Sequence, residues 1–222
     1  MLSAQEIATR STDWVLLVLV LIAVLVVLAK LAQTDRTNFF LLLPFRVQAN
    51  EWAANFNPIQ SKKLSDSLLS LSAILTLALA ALLIKRFWLG EQSLGQDFLP
   101  YLKIVFTLII IFLGKTLLGS LIAAVFDVQA RVTAVQNINF AYFSWMLLPL
   151  YPLVVGCIFL SWEPTVFAKA LIVLCALGII LTLWNTARAA LQIGVYLSYN
   201  IFYLCALEIV PVMFLVLLLQ KI

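Results

Sequence analysis

The stretch Trp14–Ala32, WVLLVLVLIAVLVVLAKLA, decides the class of fold. Its only charged residue is Lys30, whose long side chain can carry the ammonium group back to the lipid headgroups. A helix of about 20 apolar residues crosses the roughly 30 Å hydrocarbon core of a bilayer. The stretch is too long for the core of a secretory signal peptide, and no cleavage site of small residues follows it. We therefore expect a retained transmembrane helix over residues 14–32.

The composition of the whole chain indicates the same class. Of the 222 residues, 64% are hydrophobic and 11% are charged, and the mean hydropathy is +1.11. A soluble domain carries about 45–50% apolar and about 25% charged residues, so too few polar side chains are present here to cover a globule in water. Composition therefore excludes a soluble enzyme, a disordered chain, a collagen-like chain and a disulfide-stapled domain. We expect one integral membrane domain over residues 1–222.

Further apolar windows along the chain give an all-α fold, a polytopic transmembrane helix bundle of about six spans. The expected spans are 14–32, 66–84, 101–126, 141–162, 165–186 and 199–219. An amphipathic segment is expected over 39–57, after the first span. Its apolar run, residues 39–45, is too short to cross, so the segment is expected to lie in the membrane interface or to bind a partner there. The last span also fits an earlier frame, 189–207, but the later frame keeps the apolar run 211–219 out of water.

Lys115 interrupts the third expected span, with 11 uncharged residues on either side. A lysine at the bilayer midplane costs about 2.5–3.5 kcal/mol on insertion scales, whereas a lysine at the interface costs little. The lower cost favours a helix that bends so that Lys115 reaches the interface. The alternative is one long tilted helix with a buried lysine.

Two prolines, Pro149 and Pro152, fall inside the fourth expected span. Proline has no backbone N–H, so the carbonyls of Trp145 and Leu148 lose their helical donors. Inside a membrane such carbonyls need another partner. We predict a kink near the middle of this helix.

Glu208 is the residue of the last span that most needs a functional reason. It occupies the tenth of 21 positions in the frame 199–219, near the expected midplane. An ionisable residue at that depth is by default a functional hypothesis. Asn200, Cys205 and Pro211 share a helix face with Glu208, and together they form a polar seam.

Two interpretations of this seam stay open. In the functional one, Glu208 handles a proton or a cation, with Lys115 or one of the tyrosines Tyr199 and Tyr203 as its partner. In the structural one, a neutral Glu208 donates a hydrogen bond to a backbone carbonyl of a neighbouring kinked helix and fixes the register of the two helices.

The sequence contains no other recognisable chemistry. Histidine is absent and the three cysteines form no CxxC pair, so no metal site, no cofactor and no catalytic group is predicted. The acidic residues are dispersed singly. A net charge of +4 fits contact with anionic lipid headgroups better than nucleic-acid binding, which we do not expect.

The segment Tyr203–Pro211, YLCALEIVP, resembles the C-terminal signature Tyr-Leu-Cys-x-Leu-Glu-Ile-x-Pro of an uncharacterised polytopic inner-membrane family of Bacteroidota, a domain-of-unknown-function family. The stretch Leu147–Leu150, LLPL, fits the same family. The resemblance implies a bacterial inner (cytoplasmic) membrane location and places Glu208 inside the most distinctive motif of the family. It implies no activity.

Three functions are compatible with these features. The first is a non-enzymatic subunit or assembly factor of an inner-membrane complex in envelope biogenesis or export, whose partners are the lipid bilayer and other membrane subunits or a second copy. The second is a small proton- or ion-coupled transporter that uses Glu208. The third, ranked last, is a lipid-modifying membrane enzyme. Eight basic residues on the side of the 33–63 connection, against six on the other, favour a cytoplasmic connection and external termini.

Overall fold

The computed structural model describes residues 4–32, 63–89, 98–125, 136, 140–159 and 164–192. The described residues are helical apart from a turn at Met146, and they contain no strand, which confirms the all-α fold. The helices are α1 (Ala4–Ala32), α2 (Lys63–Leu89), α3 (Phe98–Val125), α4 (Phe140–Phe159) and α5 (Pro164–Gln192).

Helix α1 packs against α2 through one narrow stripe. Its buried residues recur at spacings of three and four, the period that keeps one face of a helix turned toward its neighbour. They are Val15, Val18, Leu19, Ile22, Leu25 and Ala29. The opposite face carries large exposed side chains such as Leu17 and Leu31. A lipid environment accepts this face, because acyl chains are as apolar as leucine.

Helix α2 is the centre of the bundle. In its apolar window, 67% of the residues are buried, against 18–33% in the windows of α1, α3 and α4. It contacts α1, α3, α4 and α5. Small residues permit this close approach: Ser72, Thr76 and Ala80, four residues apart on one face, are all fully buried.

The side-chain contacts fix the directions of three helices. Trp14, at the start of the apolar part of α1, lies 5.6 Å from Phe98 and 5.4 Å from Tyr101 between ring centroids. Helices α1 and α3 therefore begin at the same end of the bundle. Tyr151, in the second half of α4, reaches back to Leu19 near that end. Helix α4 consequently runs opposite to α1 and α3.

Helix α5 is peripheral. It contacts α4 and α2, and its fully buried side chain is that of Leu171. Gly178 allows a close approach to α4, because a Cβ atom built there would lie 2.5 Å from the Met146 Sδ. Large side chains along the outer face of α5, such as Ile180 and Trp184, are exposed.

Four of the described helices are long and apolar enough to cross a membrane, namely Asp13–Ala32, Asp66–Arg86, Phe98–Val125 and Phe140–Phe159. Helix α5 contains a shorter apolar section, Lys169–Thr182. These ranges overlap the first five expected spans. The expected sixth span, 199–219, and the expected interfacial segment, 39–57, lie outside the described residues.

Candidate functional site

The whole polar seam predicted around Glu208 lies beyond the described part of the chain. This applies to Glu208, Asn200, Cys205 and Pro211, which stay predictions. Lys115 belongs to helix α3, within the described residues.

Lys115 is half-buried and lies one helical turn beyond Phe112. The ring of Phe112 packs against two rings of α4, with centroids 5.7 Å from Phe140 and 6.0 Å from Phe143. Phe140 is the first residue of the apolar window of α4. Because α3 and α4 run in opposite directions, the step from Phe112 to Lys115 leads toward the end of the bundle at which α4 begins. Helix α3 continues to Val125 beyond Lys115. The depth of Lys115 in the membrane stays a prediction.

The two prolines of α4 follow a break in its regular structure. Met146 is a turn residue, and the regular helix resumes over Leu147–Phe159 with Pro152 inside it. Backbone bonds from Met146 N to the Tyr142 carbonyl (3.2 Å) and from Leu150 N to the Met146 carbonyl (3.3 Å) continue across the break. The kink predicted from Pro149 and Pro152 stays a prediction.

The hydroxyl groups at the centre of the bundle bond to their own helix. Ser72 Oγ donates to the Leu69 carbonyl at 2.7 Å, and Thr76 Oγ1 donates to the Ser72 carbonyl at 2.8 Å. Ser70 does the same with Ser67 at 2.9 Å. Each of these hydroxyl groups therefore donates its single hydrogen to a carbonyl of α2 itself. This arrangement serves the packing of α2.

Two tyrosines, which the sequence interpretation did not single out, join helices by hydrogen bonds. Tyr151 Oη donates to the Leu19 carbonyl at 3.2 Å, and the fully buried Tyr101 donates to the Leu75 carbonyl at 3.4 Å. A tyrosine inside an apolar span is the signal that could have identified them, because a buried phenol needs a hydrogen-bond partner.

Replacing Tyr151 with phenylalanine is expected to lower the melting temperature of the purified protein by about 1–7 °C. Hydrogen bonds between helices in membranes contribute about 0.6 kcal/mol on average and at most about 1.7 kcal/mol, and each kcal/mol corresponds to about 2–4 °C in a chain of this size. Thermal unfolding in detergent measures the shift. Thr107→Val is the control, since Thr107 bonds only within α3, to the Lys103 carbonyl. Equal melting temperatures for Tyr151→Phe and the native protein would contradict a stabilising bond.

Residues that could bind a metal do not gather in the described helices. No group of three or more His, Cys, Asp or Glu side chains occurs among the described residues. Cys157 and Cys175 are half-buried free thiols. Cys205 lies outside the described residues.

The apolar helices and their packing define a membrane-embedded, all-α protein. Within that class, the chain belongs to the family described as Domain of unknown function (DUF4271), whose model matches residues 15–219. No curated protein and no solved structure matches the chain. Membership is consistent with the predicted resemblance to an uncharacterised domain-of-unknown-function family.

Proposed function

We propose that this protein is a non-enzymatic subunit or assembly factor of a complex in the bacterial inner membrane, which it crosses several times, with a role in envelope biogenesis or export. The proposal rests on the hydrogen bonds that the buried hydroxyl groups of the central helix α2 form. Its fully buried hydroxyls, Ser72 and Thr76, donate to carbonyls of α2 itself. A solute that requires a hydrogen-bond donor from α2 would have to displace these bonds, whereas a scaffold retains them.

The exposed surface is compatible with a scaffold. Apolar side chains cover the outer faces of α3 and α5, including Phe106 at 62% and Ile180 at 60% exposure. Lipid can cover both faces, and so can another membrane subunit or a second copy of this chain. The bilayer and such subunits are the partners that we propose.

The test is gentle detergent extraction of the tagged protein from its native host, followed by identification of the proteins that co-purify in stoichiometric amounts. An unrelated multi-span protein of the same host, with the same tag and expression level, is the control for nonspecific capture. We expect one or more membrane proteins specific to this chain. Recovery of the chain without any such protein would contradict the proposal.

A second function, proton- or ion-coupled transport, is favoured by Glu208 near the predicted midplane of the span 199–219. Glu208→Gln keeps the size and hydrogen-bonding capacity of the side chain but cannot release a proton. Glu208→Asp keeps the carboxyl group and is the matched control. Proton flux into liposomes containing the purified protein measures the difference.

The complex-subunit proposal expects no proton flux above that of empty liposomes, for the native protein and for both variants. Flux in the native protein that Glu208→Asp retains and Glu208→Gln abolishes would contradict that proposal and establish the second function.

A further inference from the structure

Helix α4 consists of two regular sections that meet at a turn residue, Met146. The first section covers residues 140–145 and the second covers Leu147–Phe159. The backbone hydrogen bond that Met146 donates and the one that it accepts from Leu150 measure 3.2 and 3.3 Å between nitrogen and oxygen. Both are longer than the usual distance of about 2.9–3.0 Å, so the helix is held together less tightly at this residue.

The prolines of the second section remove further backbone bonds. Pro149 has no N–H to donate to the Trp145 carbonyl, and Pro152 has none to donate to the Leu148 carbonyl. Sharp bends in helices occur at prolines because these bonds are missing. The chain around Met146 is consequently the part of α4 that bends at the lowest cost.

The two sections of α4 are attached to different helices. In the first section, the rings of Phe140 and Phe143 pack against Phe112 of α3. The second section contacts α2 and α5, and its Tyr151 donates a hydrogen bond to the Leu19 carbonyl of α1. Because each section has its own attachment, a bend between them changes their relative angle without breaking these contacts.

A buried hydroxyl group lies two residues before Met146. Ser144 is only 4% exposed, and its Oγ has no hydrogen-bond partner in the described part of the chain. The buried hydroxyls of Ser72 and Thr76, by contrast, donate to carbonyls of the preceding turn of α2. A serine that donates in this way often bends its helix. Ser144 therefore carries an unpaired donor that a more strongly bent α4 can pair, through the carbonyl of Phe140 or Ala141.

The contact that α4 makes at the turn residue tolerates movement. The end of the Met146 side chain lies against Gly178 of α5, where a Cβ atom would come within 2.5 Å of its Sδ and Cε. Methionine is unbranched and repacks with little cost, and glycine presents no side chain that would interlock with it. The pair can therefore slide when the angle between the two sections changes.

We propose that Met146 is a hinge of α4, about which the first section tilts relative to the second. The hinge gives the protein two conformations. In the one that the structure shows, the Ser144 hydroxyl is unpaired among the described residues. In the other, α4 is more strongly bent and this hydroxyl donates to a carbonyl of the preceding turn. A partner that binds one conformation more tightly shifts the protein toward it. The hinge depends neither on Glu208 nor on the proposed role in a complex.

The experiment is fluorine NMR of the full chain in detergent, with a trifluoromethyl label on a single introduced cysteine and the three native cysteines replaced by alanine. The test label is placed by Leu148→Cys, because Leu148 is 43% exposed and lies two residues after Met146. The reference label is placed by Leu21→Cys in α1, a helix without proline, where Leu21 is also 43% exposed.

Three variants carry the test label. Pro149→Ala with Pro152→Ala restores the missing N–H donors of α4. Pro100→Ala with Pro164→Ala is the matched control, since these prolines lie in the first turns of α3 and α5, where an N–H has no helical acceptor. Ser144→Ala removes the buried hydroxyl and leaves the backbone of α4 unchanged.

We expect two signals, or one signal with relaxation dispersion, from the test label in the native background and in the matched control. The reference label should give one signal without dispersion. In Pro149→Ala with Pro152→Ala the test label should also give one signal without dispersion, because the restored bonds stiffen α4. Ser144→Ala should change the ratio of the two populations about threefold, the equilibrium factor for a hydrogen bond of average strength inside a membrane.

Three results would overturn the proposal. One is a single signal without dispersion from the test label in the native background. Another is the same behaviour of the two double proline variants. The third is a pair of signals from the reference label as well, which would assign the heterogeneity to the whole bundle. An unchanged ratio in Ser144→Ala would overturn the part of the proposal that assigns this hydroxyl to the bent conformation.

Discussion

Ala80→Leu is expected to lower the melting temperature of the detergent-purified protein by about 2–12 °C. Ala80 is fully buried in α2, the helix that contacts all the other described helices. Three additional carbon atoms at this position must displace neighbouring helices, and overpacking of this kind costs about 1–3 kcal/mol. In a chain of this size each kcal/mol corresponds to about 2–4 °C. Thermal unfolding followed by fluorescence-detected size exclusion measures the change.

Ala23→Leu is the matched control for this prediction. It adds the same atoms in the middle of the apolar section of α1, where Ala23 is exposed to the surroundings of the bundle. Its melting temperature should stay within about 1–2 °C of the native value, since surface substitutions are usually within about 0.5 kcal/mol. Equal effects of the two substitutions would show that α2 is not the packed centre of the protein.

Gly178→Leu is expected to have an effect of similar size. A Cβ atom at Gly178 would lie 2.5 Å from both Sδ and Cε of Met146 and 3.0 Å from its Cγ. The end of a methionine side chain can move aside for a methyl group, so Gly178→Ala should cost little. A leucine side chain is too large for the movement of Met146 to accommodate, so it should separate α5 from α4. This should lower the free energy of unfolding by about 1–3 kcal/mol.

Gly114 provides the control, because it is also a helical glycine and, apart from its own stretch of helix backbone, no atom of the described residues lies within 4 Å of a Cβ built there. Gly114→Leu should leave stability unchanged or slightly raise it, since glycine destabilises a helix interior by about 0.5–1 kcal/mol relative to alanine. The double substitution Gly178→Leu with Met146→Ala should recover part of the loss. A Gly178→Leu protein as stable as the native one would contradict the close approach of α4 and α5.

The class of the fold could be predicted from the sequence, because hydropathy and length alone determine which segments can cross a membrane. The structure buries the small residues Ser72, Thr76 and Ala80, which lie four residues apart in the sequence, a spacing typical of close helix packing in membranes. The face with which α1 contacts α2 could not be predicted. Almost every residue of that span is apolar, so the choice of Val15 and Ile22 over Leu17 depends on the shape of the neighbouring helix.

The candidate sites were less predictable. The depth of Lys115 in the membrane depends on the tilt of α3, which the order of residues does not contain, and it stays a prediction. Glu208 was found from the sequence by its charge, and it lies outside the described residues.

The most direct test of the proposed role is the mass of the intact particle extracted from native membranes, measured by native mass spectrometry. The chain itself has a mass of 24.8 kDa. We predict a particle that contains this chain together with at least one different membrane protein in a fixed ratio. A particle whose mass is a whole multiple of 24.8 kDa, apart from bound lipid, would contradict a role as a subunit of a larger complex.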